Sequence, residues 1–499
     1  MKSHSRKKIW TLFLVLNLSL SLLLTACGKG TDPASTSQGE KVLTIGMRSV
    51  GQTFDIHNYT DVGTGSMHNN MFNHLFKRDQ NYEVVPDLAE AYNQVDDTTW
   101  HFTLKKGVTF HNGDPLTAAD VKFTFERVAR DPKLLRYSNF KMIKEVKVID
   151  ELNFEIITDG AYPPLLNRLA QVNASILPGK YIEKVGWDEF NKKPVGTGPY
   201  EFVEFVLDDR LVLKEYKGYF EGDISEWDKV VFRAIPETAT RVSELLTGGV
   251  QLAVDIPPSE WDRINNNQGT SIVQGESGQT IFLVAKLAPE YPTSNVKVRQ
   301  AIDYAINDKQ ITEKVLKGTA VPTRTRVLRA STGSNPSLID TYRYDLEKAK
   351  QLMKEAGYEN GFELTLTSPR GRYLLDADVA QMIAAMLAEI KIKVNLDIVE
   401  SSRFADIRDN GKNKELLLNG KSNSLFDASQ DMEDYLSTSG SNIKQTLYNN
   451  PKVDELINEA RDNISGSTVK SHFRHMEKIE IHQPRGFEGL STSEKPQNA

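Results

Sequence analysis

Cysteine is almost absent from this chain: its 499 residues include one, Cys27. A disulfide framework is therefore excluded, and so are cysteine-rich metal clusters and dithiol redox motifs. Apolar runs are scarce too. The one conspicuous stretch, Ile9 to Leu24, falls short of the ~20 apolar residues a membrane span needs and passes abruptly into polar sequence. Neither sign of charge dominates. Lys and Arg number 61 and Asp and Glu 67, a formal net charge of −6, which gives no basic surface for nucleic acid.

Catalytic signatures are missing as well. No Gly-x-Ser-x-Gly elbow occurs. His472 and His475 are spaced to share a helix face near Glu477, Glu480 and His482, but the His-Glu-x-x-His pattern of a metalloprotease is not there. Solvated side chains account for them, and no metal is expected. Gly420-Lys421-Ser422 looks like the end of a phosphate-binding loop, yet Glu415 stands where that loop needs its first glycine. A carboxylate there would repel phosphate. No motif implies a cofactor. A chain without nucleophile, base or phosphate cradle reads as a binder and not an enzyme.

What is present begins at the N-terminus. Arg6-Lys7-Lys8, the apolar stretch and Leu24-Thr25-Ala26-Cys27 form a secretory signal whose last four residues resemble a bacterial lipobox. The expectation is cleavage before Cys27 and lipidation of that residue, which uses the only thiol. Two or more acyl chains hold a protein stably on a membrane, at roughly 0.8 kcal/mol per buried methylene. Gly28 to Glu40, rich in Gly, Ser and Thr, reads as a flexible tether. Roughly 470 residues remain, about three domain-sized units by length.

Their pattern is mixed α/β. Val42 to Met47 reads as a buried strand, and Trp100, Phe102 and Leu104 alternate with polar residues as a strand does. Val108 to Phe110 gives a short strand between two turns. Thr117 with Asp120 resembles a capping box for a helix bearing Val121, Phe125 and Val128. Phe202 to Val206 and Leu211 to Leu213 flank Asp208-Asp209 as a hairpin. Helices are expected around Val298 to Ile306, from Asp345 to a stop at Gly357, over Asp378 to Ile390, and after Asn450-Pro451. A strand is expected over Ile392 to Ile398.

The run from Asp96 through Trp100, Gly107, Phe110-His111-Asn-Gly113-Asp-Pro115 and Asp120 to Phe125 closely resembles the signature of the family 5 extracellular solute-binding proteins. Val195-Gly-Thr-Gly-Pro-Tyr200, Val298 to Ile306, Tyr344 to Tyr358 and Tyr448 to Leu456 are similar to further landmarks. The resemblance covers roughly residues 42 to 482. It implies a two-lobed Venus-flytrap α/β fold with an extra subdomain in the first lobe. The expected layout is lobe I at 41–288, its insertion at about 67–195, a crossing near Leu287 to Asn295, and lobe II at 289–482. It also implies capture of a short peptide in the cleft, closure about a hinge, and delivery to an ABC permease and its ATPase subunits. The protein would be a lipid-anchored monomer on the outer face of the cell membrane, with no nucleic-acid partner. Nickel, another small solute, or a peptide signal are the alternatives within that fold, and a surface hydrolase is the alternative outside it.

A peptide zwitterion needs a cation at its carboxylate and an acid at its amine, because an unpaired charge in a closed cleft is costly. Arginine suits the carboxylate through its bidentate fork. In relatives the loop Ser368-Pro-Arg370-Gly-Arg372-Tyr373 approaches the ligand, so the resemblance points to Arg372, then Arg370, with Tyr373 beside them. The amine is assigned to Asp427. Lys421 stands where many relatives carry tryptophan. Gly196, Thr197 and Gly198 either let backbone approach the ligand or form a structural turn. Beyond Gln483 the resemblance leads to apolar strands returning to the first lobe, whereas Pro484 to Ala499 is polar. That tail is expected to be disordered, a truncated or frameshifted end.

Overall fold

The computed structural model describes residues 39–59, 62–223, 226–275, 277–437, 440, 443–462 and 487–491. Cys27 with its signal, most of the tether, the His472–His475 segment and the rest of the polar tail lie outside the described residues. Val42 to Ala499 forms one unit. Its strands are, in chain order, β1 (Val42–Met47), β2 (Phe76–Arg78), β3 (Val84–Pro86), β4 (Ala89–Gln94), β5 (Thr99–Leu104), β6 (Ile143–Val148), β7 (Asn153–Thr158), β8 (Tyr200–Val206), β9 (Arg210–Glu215), β10 (Lys229–Ala234), β11 (Leu252–Ala253), β12 (Gln279–Ala285), β13 (Phe362–Pro369), β14 (Ile392–Val399), β15 (Leu416–Ser422) and β16 (Phe487–Ser491).

They assemble into a first sheet ordered β11-β1-β10-β9-β8 and a second ordered β14-β13-β15-β12-β16. A four-stranded sheet, β4-β5-β7-β6, and the ribbon β2-β3 are inserted in sequence between β1 and β8 of the first sheet. In the first sheet β1 runs parallel to both β10 and β11. In the second β13 runs parallel to both β14 and β15. Each parallel set belongs to one lobe.

The four-stranded sheet buries Phe102, Leu104, Phe154 and Ile156 against Val121, Phe125 and Val128 of helix Ala118–Arg130. Burying each such side chain contributes about 1.5–3 kcal/mol. That helix starts where its capping box predicts: the Asp120 carboxylate accepts from the Thr117 amide at 2.9 Å. Helix Leu346–Glu355 begins likewise, with Asp345 accepting from the Lys348 amide at 2.9 Å, and Gly357, at φ 83°, stops it. Val108 to Phe110 makes one β-bridge, Thr109 to Pro115, and no strand.

Two expectations need correction. The crossing expected near Leu287 to Asn295 comes earlier, because Gln279–Ala285 is already a strand of the second sheet. It is buried on both faces. Ile281, Leu283 and Ala285 join the helix-packed core, while Phe282 and Val284 meet Phe404, Ile407 and Leu417. The prolines at 289 and 292 instead lead into helix Val296–Ala305. The polar tail also contributes order: Phe487–Ser491 pairs antiparallel with β12, with a register shift opposite Ile281 and Phe282. Ladder hydrogen bonds are made by the main chain, so a strand edge can be completed by a segment whose composition predicts none.

Candidate functional site

In open α/β sheets ligands sit outside the carboxyl ends of parallel strands. Here both parallel sets point their carboxyl ends toward one another. Arg48 follows β1 directly, and its Nη1 donates to the carbonyl of Gly371, just beyond β13. The two lobes therefore meet across the space between these strand ends.

The Arg370–Tyr373 loop is held from beneath by Asp376. Its carboxylate accepts from the amides of Gly371 (2.9 Å), Arg372 (2.8 Å) and Tyr373 (3.0 Å). Leu375, at φ 51°, turns the chain to permit this. Tyr373 is buried, and its hydroxyl accepts from the Gly420 amide at 2.9 Å and donates to Asn419 Oδ1 at 3.2 Å. Arg372 Nε donates to the same hydroxyl at 3.2 Å, and its exposed guanidinium lies over the rings of Tyr373 and Phe404. Gly420 is needed for this contact, since a Cβ there would lie 2.8 Å from Tyr373 Cε1. Arg370 points elsewhere, making an exposed pair with Glu400 at 3.8 Å.

Asp427 is placed differently from Arg372. It is buried and caps the short helix Ala428–Met432, accepting from the Ser429 amide at 2.9 Å. Burial pushes its carboxyl up, while the Ser429 hydrogen bonds and the fields of Arg168 and Arg78 pull it down. Among the described residues no hydrogen bond or ion pair joins it to the Arg370–Tyr373 loop.

Both of those arginines come from the first lobe. Arg78 Nη2 donates to the Leu425 carbonyl at 2.7 Å, and its guanidinium sits 4.6 Å above the Phe426 ring. Tyr82 stacks on Phe426 with ring centroids 4.9 Å apart and planes 23° apart. Gln171 Nε2 donates to Ser424 Oγ at 2.7 Å, and Arg168 orients Gln171 from behind at 3.1 Å. Phe426 adopts φ 51°, a strained region for a bulky residue. The loop after β15 is thus gripped by the opposite lobe. The space left beside the grip is about 20 Å³, lined by Tyr82, Thr280, Thr323, Leu328 and Phe426 among others, room for a water and not for a peptide.

Lys421, where the family resemblance leads to a tryptophan, pairs with Asp434, which also binds Arg326 Nη2 at 3.0 Å. Asp431 lies beside them, accepting from Asn423 Nδ2 at 2.6 Å, and burial pushes its carboxyl up to about 6 despite Arg326 and Lys421. Two cations and two acids balance beneath the gripped loop.

Gly196, Thr197 and Gly198 pack within the first lobe. A Cβ on Gly196 would lie 2.0 Å from the Met71 carbonyl oxygen, the Gly198 amide donates to that oxygen at 2.8 Å, and Thr197 Oγ1 donates to Asn73 Oδ1 at 3.2 Å. These contacts are those of a structural turn. The sequence reading did not single out Arg48, Arg78, Tyr82, Gln171 or Asp376. Asp376 alone carried a local signal, as an acid just after a Gly-containing loop and at the start of a helix.

Residues 83–443 match the model for bacterial extracellular solute-binding proteins, family 5 middle. The glutathione-binding protein GsiB of Pectobacterium atrosepticum is 29% identical over 424 residues, covering 81% of this chain and 80% of its own. The periplasmic binding protein DppA of Helicobacter pylori, solved with the peptide STSA, superposes with a TM-score of 0.76 at 25% identity, over 90% of this chain and 93% of its own. NikZ of Campylobacter jejuni, solved with Ni(L-His), gives 0.76 at 22% identity, over 90% and 93%. The matched stretch spans well over half of the sequence, and the chain belongs to the bacterial extracellular solute-binding proteins of family 5.

Proposed function

We propose that this protein is the substrate-binding lipoprotein of an ABC importer, capturing short peptides between its lobes and delivering them to the permease and its ATPase subunits. The observation that supports this best is the meeting of the two parallel strand sets at their carboxyl ends, with Arg48 and Arg372 at that junction. Arg372 takes the ligand's carboxylate, and Tyr373 and Asp376 fix the loop that presents it. Cys27 carries the lipid anchor, 28–40 is the tether, and the protein acts as a monomer outside the cell membrane. The insertion at about 67–195 supplies the grip through Arg78, Tyr82 and Gln171. No bond is made or broken: closure buries the ligand and the permease reads the closed form.

Titration calorimetry of the purified protein against a short-peptide pool, glutathione and Ni(II)-histidine tests the reading, with mass spectrometry of the recovered ligand. A stoichiometric complex that returns the peptide intact is expected. Cleaved peptide, or binding of the nickel complex alone, would contradict it. Replacing Cys27→Ser should move the protein from the membrane to the soluble fraction.

A further inference from the structure

The charges around the cleft do not match a simple zwitterion. Arg48 projects from the carboxyl end of β1 in one lobe, and Arg372 from just beyond β13 in the other; both are exposed. The Arg48 guanidinium sits on the carbonyl of Gly371, the residue next to Arg372. Among the described residues no carboxylate lies within 4.0 Å of either arginine's cationic nitrogens. A third cation backs them. Arg241 is fully buried at the ends of β10 and β11, held by the carbonyls of Ile235 (2.7 Å), Pro236 (3.0 Å), Val254 (3.1 Å) and Asp255 (3.1 Å). It lies close enough to Arg48 for the two charges to repel.

Asp255 and Glu237 act on Arg241 with the opposite sign and offset that buried charge, but among the described residues neither pairs with Arg48 or Arg372. Glu400 pairs loosely with Arg370. Asp427, the acid expected to receive an amine, is buried in a helix cap that faces Arg78 and Arg168. A ligand with one amine and one carboxylate would bring no net charge to a junction where, among the described residues, neither Arg48 nor Arg372 has a carboxylate partner. A ligand with a second carboxylate would neutralise one of them, and an arginine from each lobe would then be bridged by the same molecule.

Resting on the peptide-binding reading above, we propose that Arg48 is a specificity-determining residue and that it and Arg372, one from each lobe, select peptides carrying two carboxylates. Because the two contacts come from opposite lobes, the second carboxylate also draws the lobes together. Ligand charge and closure are thereby coupled through one residue that does not belong to the Arg370–Tyr373 loop.

The test compares near-isosteric ligands by titration calorimetry: Glu-Ala against Gln-Ala, and Ala-Glu-Ala against Ala-Gln-Ala. In at least one pair the glutamate peptide should bind the wild-type protein at least tenfold more tightly. Arg48→Gln also removes the interlobe bond to Gly371 and so weakens both members of a pair, but it should weaken the glutamate peptide more and reduce the preference to less than about threefold, whereas Arg48→Lys should keep most of it. Equal binding of both members of each pair, or equal weakening of both by Arg48→Gln, would overturn the inference and leave peptide binding intact. Failure of all four peptides to bind would overturn the peptide reading and this inference with it.

Discussion

On the proposed function, the grip of the first lobe on Phe426 is expected to set a measurable part of the ligand affinity. Arg78 bridges the lobes through a charge-assisted hydrogen bond to the Leu425 carbonyl at 2.7 Å and a cation–π contact at 4.6 Å from the Phe426 ring. A hydrogen bond to a charged group contributes about 1.5–3 kcal/mol, and a partly exposed cation–π contact about 0.5–1 kcal/mol. Arg78 is half-buried, and the left-handed φ of Phe426 costs on the order of 1 kcal/mol, so about 2 kcal/mol of net closing free energy is a fair figure. Arg78→Met keeps the apolar stem and removes both contacts. If closure precedes tight binding, the apparent Kd rises by whatever the closed state loses, about 10–30-fold. The loss should appear in ligand dissociation, measured by stopped-flow fluorescence, with association nearly unchanged. Small-angle scattering of the ligand-free protein should show a larger radius of gyration in the variant. A Kd within twofold of wild type, with unchanged dissociation and scattering, would refute the idea that this grip stabilises closure.

Other predictions follow from single contacts. Arg372→Ala should weaken peptides with a free carboxylate by about 1.5–3 kcal/mol and leave C-terminally amidated ones unaffected, as calorimetry would report. Gly420→Ala places a Cβ 2.5 Å from Ile281 Cδ1 and 2.8 Å from Tyr373 Cε1, so overpacking should cost about 1–3 kcal/mol in denaturant unfolding and weaken ligand binding through Tyr373. Burial first, and the Arg127 charge second, hold His57 neutral with its pKa lowered to about 3. Its folded pKa lies below the unfolded value of about 6.5, so its stabilising contribution is full above pH 6.5 and is lost as pH falls toward 3. Between pH 7 and 5 that amounts to about 2 kcal/mol, and His57→Gln should abolish this share of the pH dependence in thermal melts.

Legibility in the sequence followed the range of the forces involved. Helices with local caps, such as Thr117 with Asp120 and Asp345 with Gly357, lie where the spacing predicts because the cap residues act within one turn. The hairpin at Asp208 was readable for the same reason: its turn residue takes φ 59°. The lobe crossing was not, because prolines mark a break in structure but not which sheet the preceding strand joins. That β12 enters the second sheet depends on β15, well over a hundred residues later. The strand β16 escaped notice because its pairing is made by backbone. At the candidate site, the family resemblance points to Arg372, Tyr373 and their loop, and the structure shows that Asp376 holds that loop. Arg48 became visible only when parallel pairing placed the end of β1 opposite the end of β13. Asp427 carries a local signal too: an acid two residues before Ser429 is a helix cap before it is a ligand contact.

The central claim is that a ligand is captured between the carboxyl ends of the two parallel strand sets. Hydrogen exchange by mass spectrometry, on the free protein and at saturating peptide, tests it most directly. Protection should rise together in the segments around Arg48 to Gly51, Arg370 to Asp376 and Asn419 to Asp427, which lie at the strand ends of opposite lobes. Protection confined to one lobe, or arising elsewhere while these segments exchange as in the free protein, would contradict the account.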